Sequence, residues 1–359
     1  MKSEDVLAHL SRRLPDFQAA CEPERLTLGE VNFVFRVRGT VESLYPSVIV
    51  KHAPPYVATL PDVPLSQERL LFEARALSAF APQGVLHHLH HLNQTEVRLP
   101  HLLDLDEERF VIVMEDLGDA PPLGSWLYHA RRSAREARTI GEQIGHFFAQ
   151  MHLASYQNES LAARFNNQSI HKILVEVYCN NIKELAHKAE IPDADQIGAQ
   201  AIAFGERLLQ PGCCLIMGDL WPRALLMTPD GVRVIDWEMA HFGQPLQDVA
   251  HFTAHLWMHV HRAPTPQAGN CARSMLRGFL QSYRNALGKR FKHIFDPAQL
   301  YDSNIYFATQ IFLHTIGSLQ RTYLYDGLPS DEPIVQDAID IAVLHLRHPT
   351  RQSIFSLVD

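Results

Sequence analysis

Two short segments carry carboxylates in a setting that suits phosphoryl transfer. The first reads Leu215-Ile216-Met217-Gly218-Asp219-Leu220-Trp221-Pro222-Arg223-Ala224, and the second Val234-Ile235-Asp236-Trp237-Glu238. Each carboxylate station closes a short apolar strand, and a turn at Pro229-Asp230-Gly231 is expected to join the two strands. Such stations can hold a hydroxyl nucleophile and a magnesium-bound nucleotide phosphate close together, chemistry that depends on positioning more than on covalent steps. Where a loop of this kind ordinarily offers magnesium an oxygen stands Ala224, whose side chain has none.

The elements that must position these groups lie upstream. Leu28-Gly29-Glu30-Val31-Asn32-Phe33 links two strand-like runs, and a loop of this sort can turn backbone N–H groups of Gly29 to Asn32 toward phosphate oxygens. Val48-Ile49-Val50-Lys51 ends an apolar strand on a lysine, and Glu73 follows on a helix, a pairing that aims an ammonium at phosphates. Val111 to Gly118 is an apolar strand running into an acidic linker; in a bilobal kinase such a segment, here with Met114 and Glu115, supplies backbone groups to adenine. Taken alone, the loop reads better as a plain turn and the lysine as a surface lysine, and the strand reads equally well as a core strand. Their order along the chain is what points to one site.

Periodicity fills in the rest. A short helix is expected over 4–15, stopped by Pro15, followed by strands between 25 and 52. A helix over 66–80 takes Ser66 as its N-cap, and strands fit 102–105 and 109–114. Beyond a hinge near 114–118, helices are expected over 132–153, 168–189, 195–210, 268–288, 297–323 and 332–347. The class is α+β and bilobal, with a β-rich nucleotide-binding lobe over 1–116 and a larger α-helical catalytic and acceptor-binding lobe over 117–359.

With 359 residues, 46% hydrophobic and 20% charged, the chain can bury two full cores. A formal charge of −8 offers no basic face for a nucleic acid and favours a cationic acceptor such as an amine. The 5 cysteines lack CxxC spacing, no run is apolar enough to span a bilayer, and no leader is visible, so the cytosol is expected.

From about 20 to 325 the chain resembles the aminoglycoside phosphotransferase, choline kinase and methylthioribose kinase superfamily, with fungal-type small-molecule kinases nearest. The resemblance is carried by the 29–37 and 48–57 strands, Glu68 to Leu77, Met114-Glu115-Asp116-Leu117-Gly118, Gly145 to His152, and above all Met217-Gly218-Asp219-Leu220-Trp221 and Ile235-Asp236-Trp237-Glu238. It implies a protein-kinase-like fold and an ATP- and magnesium-dependent phosphotransferase acting on a hydroxyl of a small metabolite. By the same resemblance Asp219 is the catalytic aspartate, Asp236 and Glu238 face magnesium, Lys51 binds phosphate, and Asp248 braces the catalytic loop.

Three positions depart from that pattern. Met217 stands where histidine is usual, Leu28 where a first glycine is common, and Arg223-Ala224 where a Gly-Asn or Gly-Ser pair is expected. As candidate substrate residues, Arg223 can supply positive charge near the phosphates or be only a surface side chain, and Trp221 can stack on a flat acceptor or its cation or simply pack the catalytic loop. Ala224 leaves an alternative open, a catalytically impaired relative that binds a ligand or regulates. The histidines of 87–91 alternate faces and lack companion ligands. Those at 251, 255, 259 and 261 fall on one probable helix, as a substrate wall, a pH-sensitive surface or ordinary helix histidines.

Overall fold

The computed structural model describes the chain except residues 28, 30, 91–96, 130–131, 351–352 and 359. Helix α1 (Ser3–Arg13) leads into strands β1 (Glu24–Leu26), β2 (Phe33–Arg38) and β3 (Ser47–His52), then a small hairpin, β4 (Tyr56–Val57) with β5 (Leu60–Pro64). Helix α2 (Arg69–Phe80), β6 (Val97–Arg98), β7 (Leu102–Asp106) and β8 (Val111–Glu115) complete this region. Five of these strands form an antiparallel sheet in the order β1-β2-β3-β8-β7.

Alternation along two of the strands decides what faces the site. Val48 and Val50 of β3, with Val111 and Val113 of β8, pack against Val6 and Leu10 of α1 on one side of the sheet. Because successive side chains point to opposite faces, Lys51 emerges on the other side, as do Ile112 and Met114, which join the main core.

The remainder is mostly helical. It contains α3 (Leu123–Leu127), α4 (Ala134–Ser155), α5 (Glu159–Arg164), α6 (Gln168–Val175), α7 (Ile182–Lys188) and α8 (Ala194–Leu208). Four short strands follow, β9 (Cys214–Ile216), β10 (Leu225–Thr228), β11 (Gly231–Val234) and β12 (His241–Gly243). Helices α9 (Leu246–His261), α10 (Pro266–Leu287), α11 (Phe291–Ile294), α12 (Pro297–Thr315) and α13 (Pro333–Arg347) close the chain. The α+β architecture, a small sheet region followed by a helical region, agrees with the sequence reading.

Several boundaries differ from expectation. Helix α2 starts at Arg69 rather than 66, since the Leu65 and Ser66 carbonyls accept from the Arg69 guanidinium and Ser66 Oγ takes only the Glu68 N–H. The stretch 168–189 is broken by a π-helical turn, Glu176–Asn180, next to the poor helix formers Asn180 and Asn181. Helix α12 ends at Thr315 instead of 323, with Gly317 pressed so close to Leu313 that a Cβ there would lie 2.8 Å from its Cα. The Pro229-Asp230-Gly231 turn joins β10 to β11, not the strand of Asp219 to that of Asp236. Asp219 instead follows β9, which pairs with β12 in a separate two-stranded sheet. The β4–β5 hairpin and β6, which pairs parallel with β11, were not anticipated.

Candidate active site

Asp219 leaves a loop that is braced from behind. Gly218 has φ +82, and a Cβ there would meet the Met239 carbonyl oxygen at 2.5 Å, so the position needs glycine. Asp248, in the first turn of α9, accepts the N–H groups of Met217 and Gly218, both at 2.9 Å. His152 of α4 lies 3.2 Å from the same carboxylate and 2.8 Å from the Tyr283 hydroxyl. Asp236 adopts a left-handed conformation, φ 62, at the end of β11, which turns its carboxylate out of the strand path.

The sequence-expected residues converge around Lys51. Its ammonium lies 2.7 Å from Glu73 Oε2, 2.8 Å from Asp236 Oδ1 and 3.7 Å from Glu238 Oε2. Burial opposes the charge of Lys51, but Asp236, Glu238 and Glu73 outweigh it and hold its pKa well above the ordinary lysine value. Burial lifts Glu73 to about 7 even though Lys51 pulls the other way. Glu238 shares its Oε2 with the Asn32 amide and sits 3.9 Å from Arg69 Nε. Arg69, fully buried, also donates to Asn32 Oδ1 and to the Val31 and Pro54 carbonyls. Sequence reasoning passed over Arg69; only its place on α2, four residues before Glu73, hinted at it.

Asp219, with its side chain 27% exposed, has its pKa pushed up to about 8. Burial is the main cause, followed by Asp236, Glu238 and Asp248, while a hydrogen bond from Tyr178 works against the rise. Tyr178 sits on the π-helical turn and His251 Nε2 stands 3.6 Å from Asp219 Oδ1. Neither was singled out at this carboxylate from sequence; a π turn leaves no clear periodic signal.

Other expected residues are placed differently. Met114 and Glu115 pair with Ile49 and Val48 on β3, and the Glu115 N–H donates to the His101 carbonyl. The linker after them is clamped by Arg36, which contacts Asp116 at 2.8 Å and Asp119 at 2.6 Å and donates to the Gly118 carbonyl. Gly29 lies exposed beside Val34, while Leu28 and Glu30 of the expected phosphate loop lie outside the described residues. Arg223 stacks over Trp221 and Tyr323, 5.3 and 5.4 Å from their centroids, and donates to the Thr322 carbonyl. Ala224 is fully buried, and its carbonyl accepts the Ile235 N–H. In the histidine run 87–91, residues 87–90 form a 3₁₀ turn and His91 lies outside the described residues.

Beyond Asp219 lies a wall of rings. His251 and His255 of α9 stack at 4.7 Å, and His255 contacts His314, Tyr323 and Trp221 at 4.6, 5.3 and 5.6 Å. Burial above all lowers these imidazoles, His251 and His259 to about 3 and His314 to about 4, so the wall is neutral.

Residues 46–287 match the profile of the phosphotransferase enzyme family. The chain is 24% identical over 298 residues to the 4-hydroxytryptamine kinase of Psilocybe cyanescens, covering 78% of each. It is 27% identical over 264 residues to a methylthioribose kinase of Geobacillus sp. (strain WCH70), covering 67% of this chain and 60% of that one. Among solved structures, amicoumacin kinase hAmiN in complex with AMP-PNP and Ca2+ superposes with a TM-score of 0.54 at 14% identity, over 99% of this chain and 95% of that one. At that identity the likeness shows the fold.

Proposed function

Since the chain belongs to the phosphotransferase enzyme family, we propose that it is an ATP-dependent kinase acting on a hydroxyl of a small molecule. The observation that carries this reading is the bridging of Lys51 between Glu73 and Asp236, with Asp219 close enough to feel the charge of Asp236. Region 1–116 would carry the nucleotide, and region 117–359 the catalytic and acceptor-binding groups.

The residues fit a divalent ion that arrives with its nucleotide. Among the described residues no three His, Cys, Asp or Glu side chains converge into a ready cage. Magnesium does not require one, since it is commonly held by one or two carboxylates together with substrate phosphates and water. Asp236, 46% exposed, is the residue that would hold it, and Glu238 would take part through its shared contact with Lys51 and Asn32. Bound magnesium and ATP supply the electrophilic phosphoryl group and neutralise part of its charge.

Lys51 then places fixed positive charge at the phosphates without reorganising, because Glu73 already holds it. Asp219 orients the acceptor hydroxyl and receives its proton on a carboxylate oxygen. The family relationship leaves the acceptor open, because one fold serves many acceptors. The overall negative charge does not decide the acceptor's charge either, because the ionised group set among the rings beyond Asp219 is Arg223. All 5 cysteines are free thiols, which supports a cytosolic setting.

Calorimetric titration of ATP with and without magnesium, on this protein and on Asp236→Ala, tests the reading. Magnesium-dependent binding that the variant lacks is expected. Binding indifferent to magnesium, or no binding, would refute the mechanism.

A further inference from the structure

Around His251, which stands 3.6 Å from Asp219, and on the facing helix α12, four buried side chains carry hydrogen-bonding atoms with no partner: His251 Nδ1, His255 Nε2, the Tyr306 hydroxyl, and both the oxygen and the nitrogen of the Gln310 amide. None of the four residues is more than 1% exposed. Buried polar atoms are nearly always paired by protein or water, so several orphans gathered in one place call for partners from outside the chain.

They belong to a single wall. His251 and His255 are one turn apart on α9, and the Tyr306 ring lies 6.0 Å from His251. Gln310 lies on α12 one turn beyond Tyr306 and one turn before His314, which touches His255. Spacing by four puts Tyr306, Gln310 and His314 on one face of that helix. The wall reaches the site through His251, 3.6 Å from Asp219.

Its chemistry is selective. A neutral imidazole, a phenol and a primary amide each donate and accept, as a hydroxyl does. A primary ammonium only donates and a quaternary one does neither, and both seek carboxylates or an open aromatic face. Among the described residues, Asp219 is the carboxylate that pairs with a histidine of this wall. The rings of Trp221 and Tyr323, which could otherwise take a cation, carry the Arg223 guanidinium.

We propose that His251, His255, Tyr306 and Gln310 form the acceptor-recognition wall, and that the acceptor is an uncharged compound bearing several hydroxyl groups rather than an ammonium alcohol. The proposal rests on the reading of Asp219 as the residue that orients the acceptor hydroxyl.

The test is binding, measured by saturation-transfer NMR on the full chain with and without AMP-PNP and magnesium. The probes are methyl β-ribofuranoside, myo-inositol and glucose against choline, ethanolamine and tyramine. At least one neutral polyol is expected to bind about tenfold tighter than every ammonium probe. Gln310→Leu and His255→Phe should each weaken that polyol about tenfold, the scale of one lost hydrogen bond. Gln310→Leu removes orphaned atoms, so its melting temperature should not fall, which separates lost binding from lost fold. Gln310→Glu should shift preference toward the ammonium probes.

Tighter binding of the ammonium probes, no polyol binding at millimolar concentration, or polyol binding indifferent to both Leu and Phe variants would overturn the proposal. Polyol binding by a protein that takes no nucleotide would sink the kinase reading and leave the wall standing.

Discussion

The Lys51 ammonium donates to Asp236 Oδ1 over 2.8 Å, tying the third strand of the sheet region to the turn that follows β11 in the helical region. Glu73 holds the same ammonium at 2.7 Å from the other side. Both Lys51 and Glu73 are buried, and removing one partner of a buried ion pair typically costs about 3–5 kcal/mol. Glu73→Ala is therefore expected to lower the melting temperature by several degrees and to weaken nucleotide binding, while Glu73→Gln, which keeps an acceptor for Lys51, loses less. Scanning calorimetry on the pair checks this. An Ala variant as stable as the parent would show that Asp236 and Glu238 alone suffice.

Asp219 makes a prediction about pH. Its carboxyl is raised from 3.8 to about 8, chiefly by burial and then by Asp236, Glu238 and Asp248. The folded protein therefore holds this proton where the unfolded chain has released it, and Asp219 costs stability increasingly as pH rises from about 4 to 8. Asp219→Asn removes that cost. It should match the parent near pH 4 and melt about 2–4 °C higher at pH 8.5, with activity lost. For the parent, kcat/KM should rise with pH through a group near 8, because the free enzyme must ionise Asp219 to receive a proton. A melting difference that is flat across the range would refute this account.

What was legible in the sequence was local. Val48 to Lys51 and Val111 to Met114 announced their strands by β-branched runs, and Gly218-Asp219 and Asp236-Trp237-Glu238 announced the carboxylates by type and order. What was hidden depended on tertiary partners. Arg69 was passed over in the sequence, yet it is fully buried, and five backbone and side-chain oxygens, from Leu65, Ser66, Val31, Pro54 and Asn32, accept from it. Tyr178 was hidden because a π turn shifts its register. The histidines of α9 gave a clear row, but a row of histidines at helical spacing says nothing about which groups face it. The sequence left Arg223 open between the phosphates and a plain surface position; Trp221 and Tyr323 hold it among the rings.

Asp248 tests whether the loop behind Asp219 must be held. Its two oxygens accept from Met217 and Gly218 at 2.9 Å each. An asparagine has one carbonyl oxygen, so Asp248→Asn must set an NH2 against a backbone N–H or give up one of the two bonds. The loop is then expected to shift, and displacement by about 1 Å can cost roughly 100-fold in rate. The expected result is a fall in kcat with the KM for nucleotide little changed, because Lys51 and Asp236 are untouched. A large rise in nucleotide KM with kcat preserved would place the role of Asp248 elsewhere.

Ala224 lies between the two carboxylate stations, its N–H donating to the Trp221 carbonyl and its own carbonyl accepting from Ile235. Those bonds fix the backbone whatever the side chain, so a substitution there probes chemistry rather than chain path. If magnesium is held at Asp236 as proposed, the alanine methyl would offer it no oxygen. Ala224→Asn is expected to lower the magnesium concentration that gives half-maximal activity on the order of tenfold, the scale on which changes around a bound metal act. Ala224→Val, of comparable bulk but without an oxygen, separates ligation from packing in a site that is fully buried. If the two variants shift the magnesium dependence alike, the position acts through packing, and the ion at Asp236 is sufficiently held without it.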